Sequence, residues 1–135
     1  MDEDYTKEEM KMVWETQKIF NDPDMAITAT TVRVPVIRSH SESVYVETEK
    51  PLTAAEAKEI FKQGENLILM DDPQNNVYPM PIIASDTDEV YVGRVRKDLY
   101  AKNGLNFWIA ADQIRKGAAT NAVQIAELLL KEQLL

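Results

Sequence analysis

The period of the hydrophobic pattern changes several times along this chain, and the order of those changes restricts the fold more than any other feature. Thr6-Lys7-Glu8-Glu9 has the form of a capping box, in which a threonine hydroxyl and a glutamate carboxylate satisfy the free amides at a helix start. Met10, Val13, Trp14 and Phe20 then recur near helical spacing until Asn21-Asp22-Pro23 stops the helix. Residues 27–36 are rich in Thr and Val and predict a strand, with Pro35 bending it near its end. Ser39-His40-Ser41 is a short polar joint, and 43–48 predicts a second strand. Thr53 caps a second helix over 54–62, ended by Gly64. A short apolar strand follows at 67–70, then a long structured loop over 71–85, rich in Pro, Asp and Asn. Residues 90–95 and 105–111 alternate like strands joined by a turn at Lys102-Asn103-Gly104, and 117–135 reads as a last helix. The order α-β-β-α-β-β-β-α implies an α+β fold, a largely antiparallel sheet with helices packed on one face.

At 135 residues the chain fits one domain, and 44% hydrophobic against 28% charged residues is a globular balance. A net charge of -8 argues against a nucleic-acid or anionic-membrane surface. With no Cys there is no disulfide, thiolate metal site or cysteine nucleophile in the chain, and one His excludes a multi-histidine metal site. No apolar run reaches the length of a membrane span and the start lacks a signal-peptide pattern, so a cytoplasmic protein is expected. The last helix is apolar almost all round near 125–130, with Leu134 and Leu135 beyond, and so calls for a partner surface.

Few residues have the chemistry for a site. Glu8 and Lys11 lie three apart on the polar face of the first helix, the ordinary spacing of a solvated surface pair. Arg33 shares parity with Ile27, Ala29 and Thr31, so a charge falls among inward-facing positions and needs a partner or ligand. His40 is flanked by Ser39, Ser41 and Glu42, where a lone loop histidine is usually just solvated. Arg94, Arg96 and Lys97 read as strand-edge charges, and Asp71-Asp72 with Asp86 and Asp88 as turn chemistry rather than a Ca²⁺ loop.

Six segments change this picture together. Tyr5-Thr6-Lys7-Glu8-Glu9-Met10-Lys11-Met12, Val32-Arg33-Val34-Pro35-Val36, Ser39-His40-Ser41-Glu42-Ser43, Asn76-Val77-Tyr78-Pro79, Val92-Gly93-Arg94-Val95-Arg96-Lys97-Asp98 and the run from Lys116 to Glu127 occur in register. The set closely resembles the C-terminal part of aspartate-semialdehyde dehydrogenase, in the form found in Gram-positive bacteria and their relatives.

The resemblance implies a single dimerisation and catalytic domain over 1–135, similar to the C-terminal domain of glyceraldehyde-3-phosphate dehydrogenase. Residues 116–135 would pack on a nucleotide-binding domain that this chain does not carry. Family members convert aspartate semialdehyde, phosphate and NADP⁺ reversibly into aspartyl phosphate and NADPH, on the way to lysine, threonine, methionine and isoleucine. A cysteine thiolate attacks the aldehyde, hydride leaves for NADP⁺, and phosphate cleaves the thioester. By resemblance His40 is the acid/base, a task that suits an imidazole near neutral pH. Arg33 matches the arginine on the substrate carboxylate, Glu8 the acid on its ammonium, and Lys11 the lysine of the phosphate site. Gln113 falls where the family usually has an asparagine close to the nicotinamide. Thr31 and Trp14 also depart from the family pattern.

The chain holds neither the family's cysteine nor a glycine-rich dinucleotide fingerprint. The expected partners are therefore a further copy of the chain or an N-terminal nucleotide-binding portion, with small-molecule substrate and phosphate, and with no metal, nucleic acid or membrane. A non-enzymatic dimerisation module derived from the family is the alternative. A free-standing binder of anions or amino acids, built on Glu8, Lys11 and Arg33, is the third.

Overall fold

The computed structural model describes residues 4–134, which fall into two compact units divided between Pro35 and Val36. In the first unit, α1 spans Lys7–Phe20 and opens with the complete capping box: Thr6 Oγ1 accepts from the Glu9 amide, and the Glu9 carboxylate accepts from the Thr6 amide. Asn21, in the left-handed region, ends the helix. Trp14, Ile19 and Phe20 are exposed, so the apolar stripe of α1 is largely uncovered within this unit.

No ladder forms over 27–36, against the expected strand. The alternation is real, since Ile27 and Ala29 are half-buried between exposed neighbours, but a strand also needs a neighbour to share its amides. Side-chain bonds hold the segment instead. Gln17 Nε2 donates to the Met25 carbonyl, the Tyr5 and Thr28 hydroxyls meet at 3.1 Å, and the Thr31 amide donates to Glu9.

The second unit is a four-stranded sheet of order β1-β4-β3-β2, where β1 is His40–Glu47, β2 Leu67–Leu69, β3 Val90–Lys97 and β4 Gly104–Ala111. β1 and β3 run antiparallel to β4, and β2 runs parallel to β3. The α+β fold and the largely antiparallel sheet are as expected. Between β2 and β3 the region read as loop holds a single 3-10 turn, Pro73–Asn75, and a short helix α3, Pro81–Ala84.

Helix α2 (Ala54–Gln63) lies over one face of the sheet, where Ala57, Val92, Val95 and Leu105 form the main core. Phe61 of α2 meets Phe107 of β4 with ring centroids 5.3 Å apart. On the opposite face α3 buries Ala84 against Tyr91 and Ala110. The strands carry apolar residues on both faces near β3, which is why their hydrophobic runs are nearly continuous. A bulge between Gly93 and Arg96 keeps Val92 and Val95 on the core side. Asp71 holds that bulge: its carboxylate accepts from the Arg94 and Val95 amides and pairs with Lys58 Nζ at 2.8 Å.

The last helix, α4, spans Ala119–Lys131, starting two residues later than expected because Gly117 takes a φ of 85° and Ala118 is not helical. It has no buried residue, and Val123, Ile125, Leu128 and Leu130 are exposed. Among the described residues no helix is long and apolar enough to cross a membrane.

Candidate functional site

Glu8, Lys11 and Arg33 belong to the first unit. Lys11 Nζ lies 3.6 Å from Glu8 Oε1, and both side chains are at least half exposed. Such a pair is held by little in water, so either charge is free to turn to a ligand. Arg33 is exposed and has no ion pair among the described residues, so the expectation of an inward-facing charge is corrected. Its segment forms no strand.

Glu9, next to Glu8, ties these residues into one unit. It is buried, and its Oε1 accepts from the Thr31 amide at 2.9 Å while Oε2 serves the helix cap. The Thr6 amide, then the Thr31 amide and Thr6 hydroxyl, hold its carboxyl below the usual carboxylate range. Arg33 lies two residues beyond Thr31, about 7 Å of extended chain, so the start of α1 and the arginine segment share one anchor. The capping box shows Glu9 as a cap in the sequence, but nothing there shows that its second oxygen binds Thr31.

His40 and Gln113 belong to the second unit and lie at the same end of the sheet. His40 opens β1 and pairs in register with Ala111, the last residue of β4, two residues before Gln113. The imidazole is exposed and makes no side-chain hydrogen bond among the described residues. Gln113 Oε1 is buried without a hydrogen-bond partner, an acceptor that a ligand amide would satisfy.

The backbone leading into His40 is fixed from behind. Arg38 Nε sits 2.7 Å from Asp112 Oδ2, and its Nη1 lies 2.6 Å from Asp86 Oδ1. Ser39 is buried with a φ of 78°, its hydroxyl 3.1 Å from that of Ser85. Asp112 is fully buried and also accepts from the amides of Asp86 and Ile114, at 2.8 and 3.0 Å. Burial pushes its carboxyl up, but the amides of Asp86 and Ile114, the Arg38 guanidinium and the Arg115 amide together hold it below the usual range. Arg38 and Asp112 are not legible as site residues in the sequence, where Ser39 reads only as part of a polar joint and Asp86 only as turn chemistry. The one signal is that the apolar alternation of β4 ends abruptly on an acid.

Comparison with known proteins bears on the fold and the family. A family model described as "Semialdehyde dehydrogenase, dimerisation domain" matches residues 1–116. Aspartate-semialdehyde dehydrogenase of Aquifex aeolicus is 57% identical over 131 residues, and that of Campylobacter jejuni 56%; each alignment covers 97% of this chain. A crystal structure of aspartate semialdehyde dehydrogenase II complexed with ASA, from Vibrio cholerae, superimposes with a TM-score of 0.90 at 51% identity, covering 97% of this chain and 38% of that one. The chain likewise spans 38% of the length of the Aquifex and Campylobacter relatives. It belongs to the aspartate-semialdehyde dehydrogenase family and corresponds to the C-terminal part, the dimerisation domain.

Proposed function

We propose that this chain supplies the acid/base, part of the substrate and phosphate sites and the subunit contact of an NADP-dependent aspartate-semialdehyde dehydrogenase of the cytoplasm, acting in lysine, threonine and methionine biosynthesis. The observation that carries this reading is the placement of His40, exposed at the first register pair of β1 and β4, on a joint held by the pairing of Arg38 with the buried Asp112. An exposed imidazole on a fixed backbone can take a proton from a thiol and return it to the adduct without moving the chain. Arg33 would grip the substrate carboxylate through two charge-assisted bonds, and Glu8 its ammonium. Lys11, released from Glu8, would meet the phosphate that cleaves the thioester.

NADP, when bound, supplies the hydride acceptor. The unpaired Gln113 Oε1 is suited to accept from a carboxamide N–H at the His40 end of the sheet. The nucleophilic cysteine is not among these 135 residues, so turnover requires a portion that carries it. The chain joined or mixed with a nucleotide-binding portion bearing the cysteine should form NADPH from aspartate semialdehyde, phosphate and NADP⁺, and the chain alone should not. Turnover by the isolated chain that depends on His40 would overturn the reading.

The missing thiol also favours a second reading, a non-enzymatic module that associates through the same sheet. The side of the sheet away from α2 carries Ser43, Tyr45, Asn106, Trp108 and Arg96, and among these Ser43, Tyr45 and Arg96 are exposed. Failure of every cysteine-bearing partner to restore turnover, with dimers still forming, would favour this module.

A further inference from the structure

We propose that Asp112 is a positioning residue for the reaction: through Arg38 and the turn at Asp86 it fixes the backbone that presents His40. The proposal rests on the reading of His40 as the acid/base.

Among the described residues the Asp112 carboxylate makes no hydrogen bond or ion pair with His40, Arg33, Glu8, Lys11 or the Gln113 side chain. Its carboxylate instead gathers three segments distant in sequence. They are the joint before β1 through Arg38, the turn before β3 through the Asp86 amide, and its own turn after β4 through the Ile114 amide. Arg38 closes the ring by meeting the Asp86 carboxylate with a second guanidinium nitrogen. Inside that ring, two residues adopt left-handed backbone without being glycine: Ser39 at φ 78° and Asp86 at φ 64°. Such conformations persist where surrounding contacts over-determine them. Ser39 immediately precedes His40, so releasing it to an ordinary extended conformation would re-aim the imidazole.

The contrast in exposure supports the same division of labour. Asp112 is fully buried and Ser39 nearly so, while His40 is open to solvent. An exposed imidazole with no hydrogen bond of its own owes its direction to the chain that carries it. A carboxylate that served only to close the turn after β4 would need the Ile114 amide alone. This one also spends its oxygens on the segments before β1 and β3, at the cost of burying a charge.

The test uses Asp112→Asn, which keeps the shape but turns a donor toward either Arg38 or a backbone amide. A second variant, Arg38→Lys, keeps the charge but loses the two-nitrogen reach to both acids, and it alters a partly exposed side chain. In the enzyme formed with the cysteine-bearing portion, both should lower kcat at least tenfold and leave KM within twofold. His40 is the chain's only histidine, so isotope-labelled chain mixed with an unlabelled cysteine-bearing portion gives a single assignable set of histidine ring NMR signals. That set should broaden or split in both variants. The proposal is overturned if folded Asp112→Asn enzyme keeps parent kcat, if the damage lies in KM, or if melting falls while the His40 signals stay unchanged. His40→Asn separates the layers. If it spares kcat, the acid/base reading fails and this proposal with it. If it abolishes kcat while Asp112→Asn spares it, this proposal alone fails.

Discussion

Arg115 grips Asp88 with two nitrogens, Nε on Oδ1 at 2.7 Å and Nη2 on Oδ2 at 3.0 Å, and Thr120 Oγ1 donates to the same Oδ1. These contacts connect the turn before α4, through Arg115, and the first turn of α4, through Thr120, to the residues that lead into β3. The helix has no buried side chain of its own, so polar contacts of this kind hold it to the sheet. The Arg115 bond first, and then the Thr120 hydroxyl, keep the Asp88 carboxyl below the usual carboxylate range. A depressed carboxylate stabilises the fold above its unfolded pKa and loses that contribution as pH falls through the folded value. Acid should therefore release α4 before the sheet. Protection of the amides over 119–131, relative to their intrinsic exchange at the same pH, should fall as pH drops below the ordinary aspartate range while β3 and β4 stay protected. Asp88→Asn should show the same selective exposure at pH 7. Uniform loosening of sheet and helix would contradict this.

A second prediction concerns the core under α2. Leu105 is 2% exposed and packs with Val92, Val95 and Ala57. Leu105→Ala removes most of a buried side chain and leaves a cavity that a sheet flanked on two sides cannot close. The expected cost is about 2–5 kcal/mol, read as a lower urea midpoint with an unchanged slope.

Gly93 gives a sharper steric prediction. It is buried in β3, and a Cβ there would fall against the Met70 carbonyl oxygen and 2.5 Å from Pro79 Cδ. Neither the backbone carbonyl nor the proline ring can swing aside. Gly93→Ala should destabilise the second unit by about 3 kcal/mol, at the upper end for overpacking. Thermal melting close to that of the parent would mean that the Met70 to Pro79 segment yields more easily than its contacts indicate.

Glu9→Gln separates two functions of one side chain. Glutamine still closes a capping box, but its amide nitrogen cannot accept from the second amide. Exchange at the Thr31 amide should rise at least tenfold, while amides in the middle of α1 keep the parent rate. Equal exchange at both places would show that Glu9 acts on the helix alone.

These cases also show what the sequence could reveal. The caps at Thr6 and Thr53 were legible because a capping box is a local bargain within four residues. β3 and β4 were legible from period-two alternation, though the ladder runs further than the alternation, to Lys97 and back to Gly104. Residues 27–36 carry the same alternation and form no ladder, because pairing depends on a distant edge that composition does not reveal. The spacing of Glu8 and Lys11 was visible and ambiguous, since a surface pair and a ligand site share it. The importance of Asp112 was invisible. It arises only when Arg38 and Asp86 arrive from other parts of the chain.

The last prediction divides the work between Arg33 and His40 in the whole enzyme. Both side chains are exposed and neither supports a core, so single substitutions should leave melting and circular dichroism at parent values. Arg33 offers a planar fork that can bond both oxygens of a carboxylate. Lysine keeps the charge and loses the paired geometry. If that contact forms equally in the ground and transition states, Arg33→Lys raises KM and spares kcat. His40 acts only while protons move, a contribution typically worth about 10²–10⁴-fold. His40→Asn should therefore lower kcat by roughly that factor with KM nearly unchanged. The opposite pattern, with Arg33 controlling kcat and His40 controlling KM, would exchange the two roles. A His40→Asn enzyme at parent turnover would remove the acid/base from this chain altogether.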